Sequence, residues 1–184
     1  LRARGCTTVA MEASSHSLDQ GRLDGLGFAA GVFTNLTRDH LDYHGSMASY
    51  RRAKARLAEY VAPGGTIVVN ADDSVWRAIK TRSHRLTFGT RGLPDVRASA
   101  VRFSPEGSHW TLHVAGGTHD VALPLVGDFN IANALGASAA ASALGLAPET
   151  IASRLARVPQ VPGRLELLRR APTVLRDYAH TPDA

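Results

Sequence analysis

Short apolar runs alternate with helical periodicity over the first ninety residues. Three such runs lead into polar segments, as buried parallel strands do where they enter a loop: TTVAME (7–12), GVFTNL (31–36) and TIVVN (66–70). Between the last two, apolar residues recur at steps of three and four from Met47 to Val61, which predicts a helix with Ser46 as its N-cap. A shorter helix is predicted over residues 71–80. This alternation indicates an α/β fold with a mainly parallel sheet flanked by helices.

The pattern changes in the middle of the chain. Alternating apolar and polar positions predict a small antiparallel β section, in three segments at 96–104, 109–116 and 118–125. Two helices are predicted next, at 129–146 and 148–158, the second with Pro148 in its first turn. Residues 158–164 resemble a linker, and two further strands are predicted at 165–170 and 173–179. The predicted domains are therefore 1–160 and the start of a second domain at 161–184, in what we expect to be a piece of a longer protein.

Composition excludes several classes of protein. The chain is 44% hydrophobic and 20% charged, as soluble globular proteins are, and its single cysteine rules out an internal disulfide framework. No apolar run approaches the roughly 18 to 20 residues of a membrane span, so we expect a cytoplasmic protein. The net charge is +5, but the 11 aromatic residues are not interleaved with the arginines as a nucleic-acid platform requires. An anionic small-molecule substrate explains the charge at least as well, and no nucleic-acid partner is expected.

Lys54 interrupts the apolar stripe of the helix that starts after Ser46. Of the 21 basic residues only Lys54 and Lys80 are lysines, so arginine is the default basic residue of this chain. Either the Lys54 stem lies along apolar surface while its amine reaches water, or position 54 requires an amine. A desolvated lysine has a lowered pKa and can be a neutral nucleophile, whereas arginine stays charged.

Polar residues gather where the first two predicted strands end, which in a parallel sheet is the ligand-binding edge. They are Glu12, Ser14, Ser15 and His16 after the first strand, and Asn35, Asp39 and His40 after the second. Glu12 is either a ligand of Mg²⁺ or a cap of the following helix. Asp39, His40, Asp42 and His44 match no dedicated zinc motif, and a hydrogen-bonded loop explains them equally well.

Three further polar residues are candidates for ligand binding. Arg22 is either a bidentate partner of a phosphate or carboxylate or a solvated surface residue. Asn130 and Asn133 lie at the start of the predicted helix at 129–146, where they either face a base or ribose or cap the helix.

Several motifs taken together resemble the Mur ligases: MEASSHSLDQGR, VFTNLTRDHLDYHGSMASYRRAK, VGDFNIANALGA, VPGRLE and DYAHTPDA. They occur in family order and span nearly the whole chain. DHLDYHG and the downstream AK resemble the motifs of one group of Mur ligases. This group adds the third residue, meso-diaminopimelate or L-lysine, to UDP-N-acetylmuramoyl-L-alanyl-D-glutamate. The resemblance implies the central ATPase domain of these enzymes, followed by the first strands of their C-terminal α/β domain.

The resemblance also implies roles for individual residues. The lysine at position 54 would be carbamylated by CO₂ to N6-carboxylysine and would hold Mg²⁺ with Glu12 and His40. Ser14, Gln20 and Arg22 fall where the family binds the UDP-muramoyl peptide. Asn133 falls where the family meets adenine, and Arg164 and Asp177 fall where it meets the ribose end of ATP.

The implied reaction is ATP-dependent amide ligation through an acyl phosphate in peptidoglycan synthesis, by a monomeric enzyme with ATP and Mg²⁺ as cofactors. Diaminopimelate is the expected amine, although the residues that would select it are expected beyond Ala184. The GxxGKT-like phosphate loop of the family does not occur in this sequence and is expected before Leu1, so the segment alone is not expected to ligate. The alternatives are a folylpolyglutamate or cyanophycin synthetase type of ligase, or a non-catalytic nucleotide-binding relative.

Overall fold

The structure is a computed structural model that describes residues 2–179, and only the backbone of Arg2. Six strands form one sheet in sequence order: β1 (Phe28–Phe33), β2 (Val61–Asn70), β3 (His84–Gly89), β4 (Val96–Ser104), β5 (Gly107–Val114) and β6 (Gly117–Leu123). Neighbouring strands are parallel from β1 to β4 and antiparallel from β4 to β6. β7 (Glu166–Arg169) and β8 (Val174–Arg176) form a separate antiparallel pair.

Helices cover both faces of the large sheet. They are α1 (Ser15–Asp19), α2 (Leu41–His44), α3 (Met47–Ala55), α4 (Asp128–Ala143) and α5 (Pro148–Leu155), and a 3-10 segment at Arg56–Tyr60 continues α3. Successive residues of β2 belong to different cores: Val68 packs with Leu135 of α4, whereas Ile67 and Val69 pack with Tyr50 of α3. Because side chains alternate along a strand, the continuous apolar run of β2 indicates a strand that is buried on both faces.

Most of the predicted elements of the second half are confirmed. The structure contains β4, β5, β6, the two helices and the final pair of strands close to their predicted bounds, with Pro148 opening α5. Ser46 caps α3 as predicted, because its Oγ accepts a hydrogen bond from the Ser49 amide at 3.2 Å. The division into domains 1–160 and 161–184 stays a prediction.

The predicted strand at residues 7–12 is wrong. These residues have no regular secondary structure, and Val9 and Met11 are 58% and 50% exposed. A β-branched run becomes a strand only when a neighbouring strand supplies its hydrogen bonds. Within residues 2–179, β1 pairs only with β2, and no strand lies beside residues 7–12.

Several other elements differ from expectation. The second run forms a strand only to Phe33, and the predicted helix at 71–80 is a single 3-10 turn at Ser74–Trp76. One side chain explains both changes: Asp73 accepts hydrogen bonds from the Leu36 amide at 2.8 Å and the Val75 amide at 2.9 Å. β3 was not predicted, because the apolar and polar residues of HRLTFG do not alternate regularly. In the structure the strand is exposed at His84 and becomes buried only at Phe88 and Gly89. No helix within residues 2–179 is long and apolar enough to span a membrane.

Candidate active site

Lys54 lies half-buried on α3, near Asp39 of the loop after β1. Its Nζ is 5.3 Å from the centroid of the Tyr50 ring, one turn earlier on the same helix. Burial lowers the pKa of the Lys54 amine, and the nearby carboxylates of Glu12 and Asp39 partly offset this by favouring the charged form. The net pKa is below the usual value for lysine. Desolvation therefore raises the fraction of neutral amine at position 54.

His40 lies near the same tyrosine as Lys54 and has an unusual backbone conformation. It immediately precedes α2 with φ 52° and ψ 29°, in the left-handed region that costs a non-glycine residue roughly 1–2 kcal/mol. Its ring centroid is 6.1 Å from that of Tyr50 and 4.9 Å from that of His16, and its Nε2 is 3.4 Å from a carboxylate oxygen of Asp39. His40 and Lys54 thus share Tyr50 as a neighbour, and the strained backbone sets the direction of the imidazole.

The donor set around Lys54 suits a hard divalent cation only if the amine changes its charge. Within residues 2–179, no three His, Cys, Asp or Glu side chains are arranged to hold a metal ion. Glu12 and Asp39 act electrostatically on Lys54, so two carboxylates lie near the amine. An ammonium group there repels Mg²⁺, whereas a carbamate supplies the oxygen ligands that Mg²⁺ prefers. Carboxylates near a lysine with lowered pKa would suit Mg²⁺ if Lys54 were a carbamate.

The predicted substrate residues lie on and after α1. Ser14 is the N-cap of this helix, since its Oγ accepts from the Ser17 amide at 3.1 Å, so the alternative that Glu12 caps the helix is wrong. Gln20 ends the helix, and its Nε2 donates to the Tyr43 hydroxyl at 3.1 Å. Arg22 is exposed two residues later. The end of α1 therefore brings Gln20 beside α2, the helix that follows His40.

A histidine–tyrosine cluster joins α1, α2 and α3, and sequence reasoning did not find it. Its members are His16, His40, Tyr43, His44 and Tyr50. Ring centroids are 4.2 Å apart for His16 and Tyr43, 4.7 Å for Tyr43 and His44, and 5.2 Å for His44 and Tyr50. The DYH sequence after His40 indicated polar chemistry, but the contacts depend on the packing of three separate helices.

Asn130 and Asn133 have different environments on α4. Asn130 is buried, and its Nδ2 donates to the Val126 carbonyl at 2.8 Å, which ties the helix to the preceding loop. Asn133 is exposed about one turn later. Gly127, with φ 103°, is the N-cap residue, so the alternative that an asparagine caps this helix is wrong. Of the two asparagines, Asn133 is the one free to meet a ligand.

Arg164 and Asp177 line one cleft of about 440 Å³ beside Tyr178. The Arg164 guanidinium carbon is 6.0 Å from the centroid of the Tyr178 ring. Asp177 accepts hydrogen bonds from the Leu165 amide at 2.8 Å and the Ala179 amide at 2.7 Å. These two backbone contacts fix the carboxylate at the edge of the cleft. The remaining residues of the DYAHTPDA motif, 180–184, lie outside the described residues.

The sequence and the fold both have known relatives. Residues 1–141 match the Mur ligase middle domain family. Two curated relatives are named UDP-N-acetylmuramoyl-L-alanyl-D-glutamate--2,6-diaminopimelate ligase. The one from Synechococcus elongatus is 45% identical over 186 residues, which are 98% of this chain and 37% of the relative. The one from Xanthomonas campestris is 45% identical over 195 residues, which are 100% of this chain and 39% of the relative.

The fold gives the same result. A solved structure of a UDP-N-acetylmuramoyl-L-alanyl-D-glutamate--2,6-diaminopimelate ligase superposes with a TM-score of 0.83 at 33% identity, over 98% of this chain and 39% of that chain. The chain thus spans less than two fifths of the length of the proteins it resembles. The family match, the sequence identity over nearly the whole chain and the shared sheet together show that this chain belongs to the Mur ligases and contains their middle domain.

Proposed function

We propose that the protein containing this chain is an ATP-dependent ligase that adds meso-diaminopimelate to UDP-N-acetylmuramoyl-L-alanyl-D-glutamate in peptidoglycan synthesis. The names of the curated relatives support this substrate pair. The observation that carries the proposal is the half-buried Lys54 amine, whose pKa is lowered and which lies near the carboxylates of Glu12 and Asp39. His40 lies near the same tyrosine ring, that of Tyr50. We further propose a monomeric cytoplasmic enzyme, with a central domain at 1–160 and the start of its C-terminal domain at 161–184.

Lys54 acts first as a nucleophile in the proposed site. The neutral amine attacks the carbon of CO₂, an N–C bond forms, one C–O π pair moves to oxygen, and the nitrogen gives up a proton to water. The lowered pKa favours this step because only the neutral amine has a free electron pair. The product is a carbamate, so the charge at position 54 changes from positive to negative. Lys54, Glu12 and His40 would then hold Mg²⁺, which offsets the negative charge of the transferring phosphoryl group.

The other predicted residues position the two substrates. Arg22 supplies a permanent positive charge for the anionic UDP-muramoyl peptide, and Ser14 and Gln20 supply polar groups for the same substrate. Asn133 meets adenine, and Arg164 and Asp177 meet the ribose end of ATP from their shared cleft. The glutamyl carboxylate takes the γ-phosphoryl group and releases ADP. The incoming amine then attacks the acyl phosphate, and phosphate leaves as the amide forms. Positioning and electrostatics carry this reaction.

A ligase assay on the complete gene product tests the proposal. ATP, Mg²⁺ and UDP-N-acetylmuramoyl-L-alanyl-D-glutamate are supplied with diaminopimelate or with L-lysine, and the product is identified by mass. We expect ADP, phosphate and the diaminopimelate-containing tripeptide. Product formation only with L-lysine would change the assigned amine. Product formation only with a folylpolyglutamate or cyanophycin synthetase substrate would overturn the proposal.

The two lysines of the chain provide a matched pair of variants. Lys54→Arg retains a positive charge but cannot form the carbamate, and we expect at least about a 100-fold loss of activity, the upper range for disturbing a metal site. Lys80→Arg makes the same change at an exposed position and is expected to keep full activity. Mass spectrometry in bicarbonate is expected to find one added CO₂ at Lys54 in the wild type and in Lys80→Arg. An active Lys54→Arg variant, or an unmodified Lys54 in active enzyme, would contradict the metal-site assignment.

A further inference from the structure

The hydroxyl of Tyr43 connects α2 to the end of α1, where the predicted substrate residue Gln20 lies. It donates a hydrogen bond to Oδ2 of Asp19 at 3.0 Å and accepts one from Nε2 of Gln20 at 3.1 Å. Asp19 is the last residue of α1 and Gln20 is its C-cap. Tyr43 lies on α2, the helix that begins directly after His40. We propose that Tyr43 is a positioning residue that orients the Gln20 amide in the substrate site. This inference rests on the proposed function, in which Gln20 meets the UDP-muramoyl peptide.

The order of protons along these three side chains fixes the orientation of Gln20. A phenol has one proton to donate, and a carboxylate can only accept, so the Tyr43 proton goes to Asp19. The Tyr43 oxygen must then accept its second hydrogen bond. Only the NH₂ half of the Gln20 amide can donate to it. The carbonyl oxygen of Gln20 is therefore directed away from Tyr43 and stays available as an acceptor.

The surroundings hold Tyr43 and α1 in place. The Tyr43 ring packs against His16 of α1 and against its own neighbour His44, at centroid distances of 4.2 and 4.7 Å. Arg56 donates to the backbone carbonyl of Asp19 at 3.1 Å, which anchors the end of α1 to the segment after α3. Tyr43 is nonetheless 42% exposed, so the hydrogen-bonded group faces the solvent from which a ligand arrives. Because the Gln20 side chain is already held by Tyr43, it loses less conformational entropy when a ligand binds than a freely rotating glutamine would.

The orientation specifies the chemistry that Gln20 recognises. A carbonyl acceptor takes an N–H or O–H donor, so Gln20 is assigned a donor on the UDP-muramoyl peptide: a peptide N–H or a hydroxyl of the nucleotide sugar. Competition by UDP-N-acetylmuramic acid, which lacks the dipeptide, distinguishes the two. If Tyr43→Phe weakens both ligands equally, the donor lies on the nucleotide sugar. If it weakens only the dipeptide form, the donor lies in the peptide.

Tyr43→Phe tests the positioning role because it removes the hydroxyl and keeps the ring. In the complete gene product we expect KM for the UDP-muramoyl peptide to rise about five- to tenfold, with kcat within about twofold, since the lost contact is the same in ground and transition states. Tyr60→Phe is the matched control. It removes another Tyr–Asp hydrogen bond close to α1, from the Tyr60 hydroxyl to Asp24 at 2.5 Å, in which the Gln20 amide takes no part. Its KM is expected to stay at the wild-type value.

A double-mutant cycle separates positioning from general loosening of the site. If Tyr43 acts through Gln20, then Tyr43→Phe combined with Gln20→Ala raises KM no more than Gln20→Ala alone. Additive effects, or an equal rise in KM for Tyr60→Phe, would overturn the inference. If Tyr43→Phe does not fold, Asp19→Ala serves instead, because it removes the acceptor of the Tyr43 proton, which can then turn to the Gln20 carbonyl oxygen. The same rise in KM is expected, and an unchanged KM would overturn the inference.

A crystal structure of Tyr43→Phe provides a readout that does not depend on ligase activity. We expect the Gln20 side chain to leave its present position when the acceptor is lost. An unmoved Gln20 amide would overturn the positioning role whatever the enzyme does. Absence of product from wild-type enzyme in the ligase assay, with Gln20 displaced in this crystal structure, would overturn the proposed function and leave the contact itself established.

Discussion

Asp73 holds the loop after β1 against the loop after β2, and Asp73→Ala is expected to release it. The carboxylate accepts from the Leu36 amide at 2.8 Å and from the Val75 amide at 2.9 Å. Leu36 is only 9% exposed, so water does not readily replace the lost acceptor. Leaving one buried donor unpaired costs about 2 kcal/mol, and the lost cap at the 3-10 turn costs about 1 kcal/mol more. The first of these costs corresponds to about thirtyfold faster opening around Leu36.

Amide hydrogen exchange followed by mass spectrometry measures this opening locally in the complete gene product. Peptides that cover residues 33–40 are expected to exchange about thirtyfold faster in Asp73→Ala than in the wild type, while β5 is unchanged. Ser74→Ala is the control, because the adjacent side chain is exposed and the substitution retains both contacts of Asp73. The same loop leads to His40, so the ligase activity of Asp73→Ala is expected to fall together with the protection of its amides against exchange. Exchange within about threefold of the wild type would refute the argument that Asp73 secures this loop.

Two further predictions concern glycine packing and pH. Gly107→Ala is expected to lower the free energy of unfolding, measured with urea, by about 1–3 kcal/mol more than Gly92→Ala does. Both glycines have positive φ, but only a Cβ at position 107 overlaps the Leu123 carbonyl and lies 2.9 Å from the Pro124 Cα. Equal losses would contradict the overlap. Burial raises the pKa of Asp72, but hydrogen bonds from Thr90 and Arg91 lower it more, so the net pKa lies below the ordinary 3.8. The stabilisation by Asp72 is therefore fully present above about pH 4 and is lost as pH falls through the lowered pKa. As pH falls through this range, amide hydrogen exchange at residues 89–91 is expected to accelerate in the wild type and not in Asp72→Asn. Identical pH profiles for the two proteins would show that a group other than Asp72 causes the loss of protection.

The candidate site was predictable where its residues are close in the chain. Steps of three and four placed Lys54 on the face of α3 that contains Tyr50, and the structure has both residues there. Ser14 and Gln20 were predicted from the resemblance of MEASSHSLDQGR to the Mur ligases, and they flank one short helix. Tyr43 was not predicted as part of the site. Its role depends on the docking of α2 against α1, which no spacing within either segment specifies.

Local periodicity, capping and turn residues by themselves determined the antiparallel section, α4, α5 and the start of α3, because these features depend on neighbours within a few residues. Only the tertiary structure decided the fate of segments that need a distant partner. TTVAME has strand propensity but lacks a paired strand within residues 2–179, whereas the less regular HRLTFG pairs with β2 and becomes β3. The reason is that a strand satisfies its backbone hydrogen bonds through other segments, while a helix satisfies most of its own.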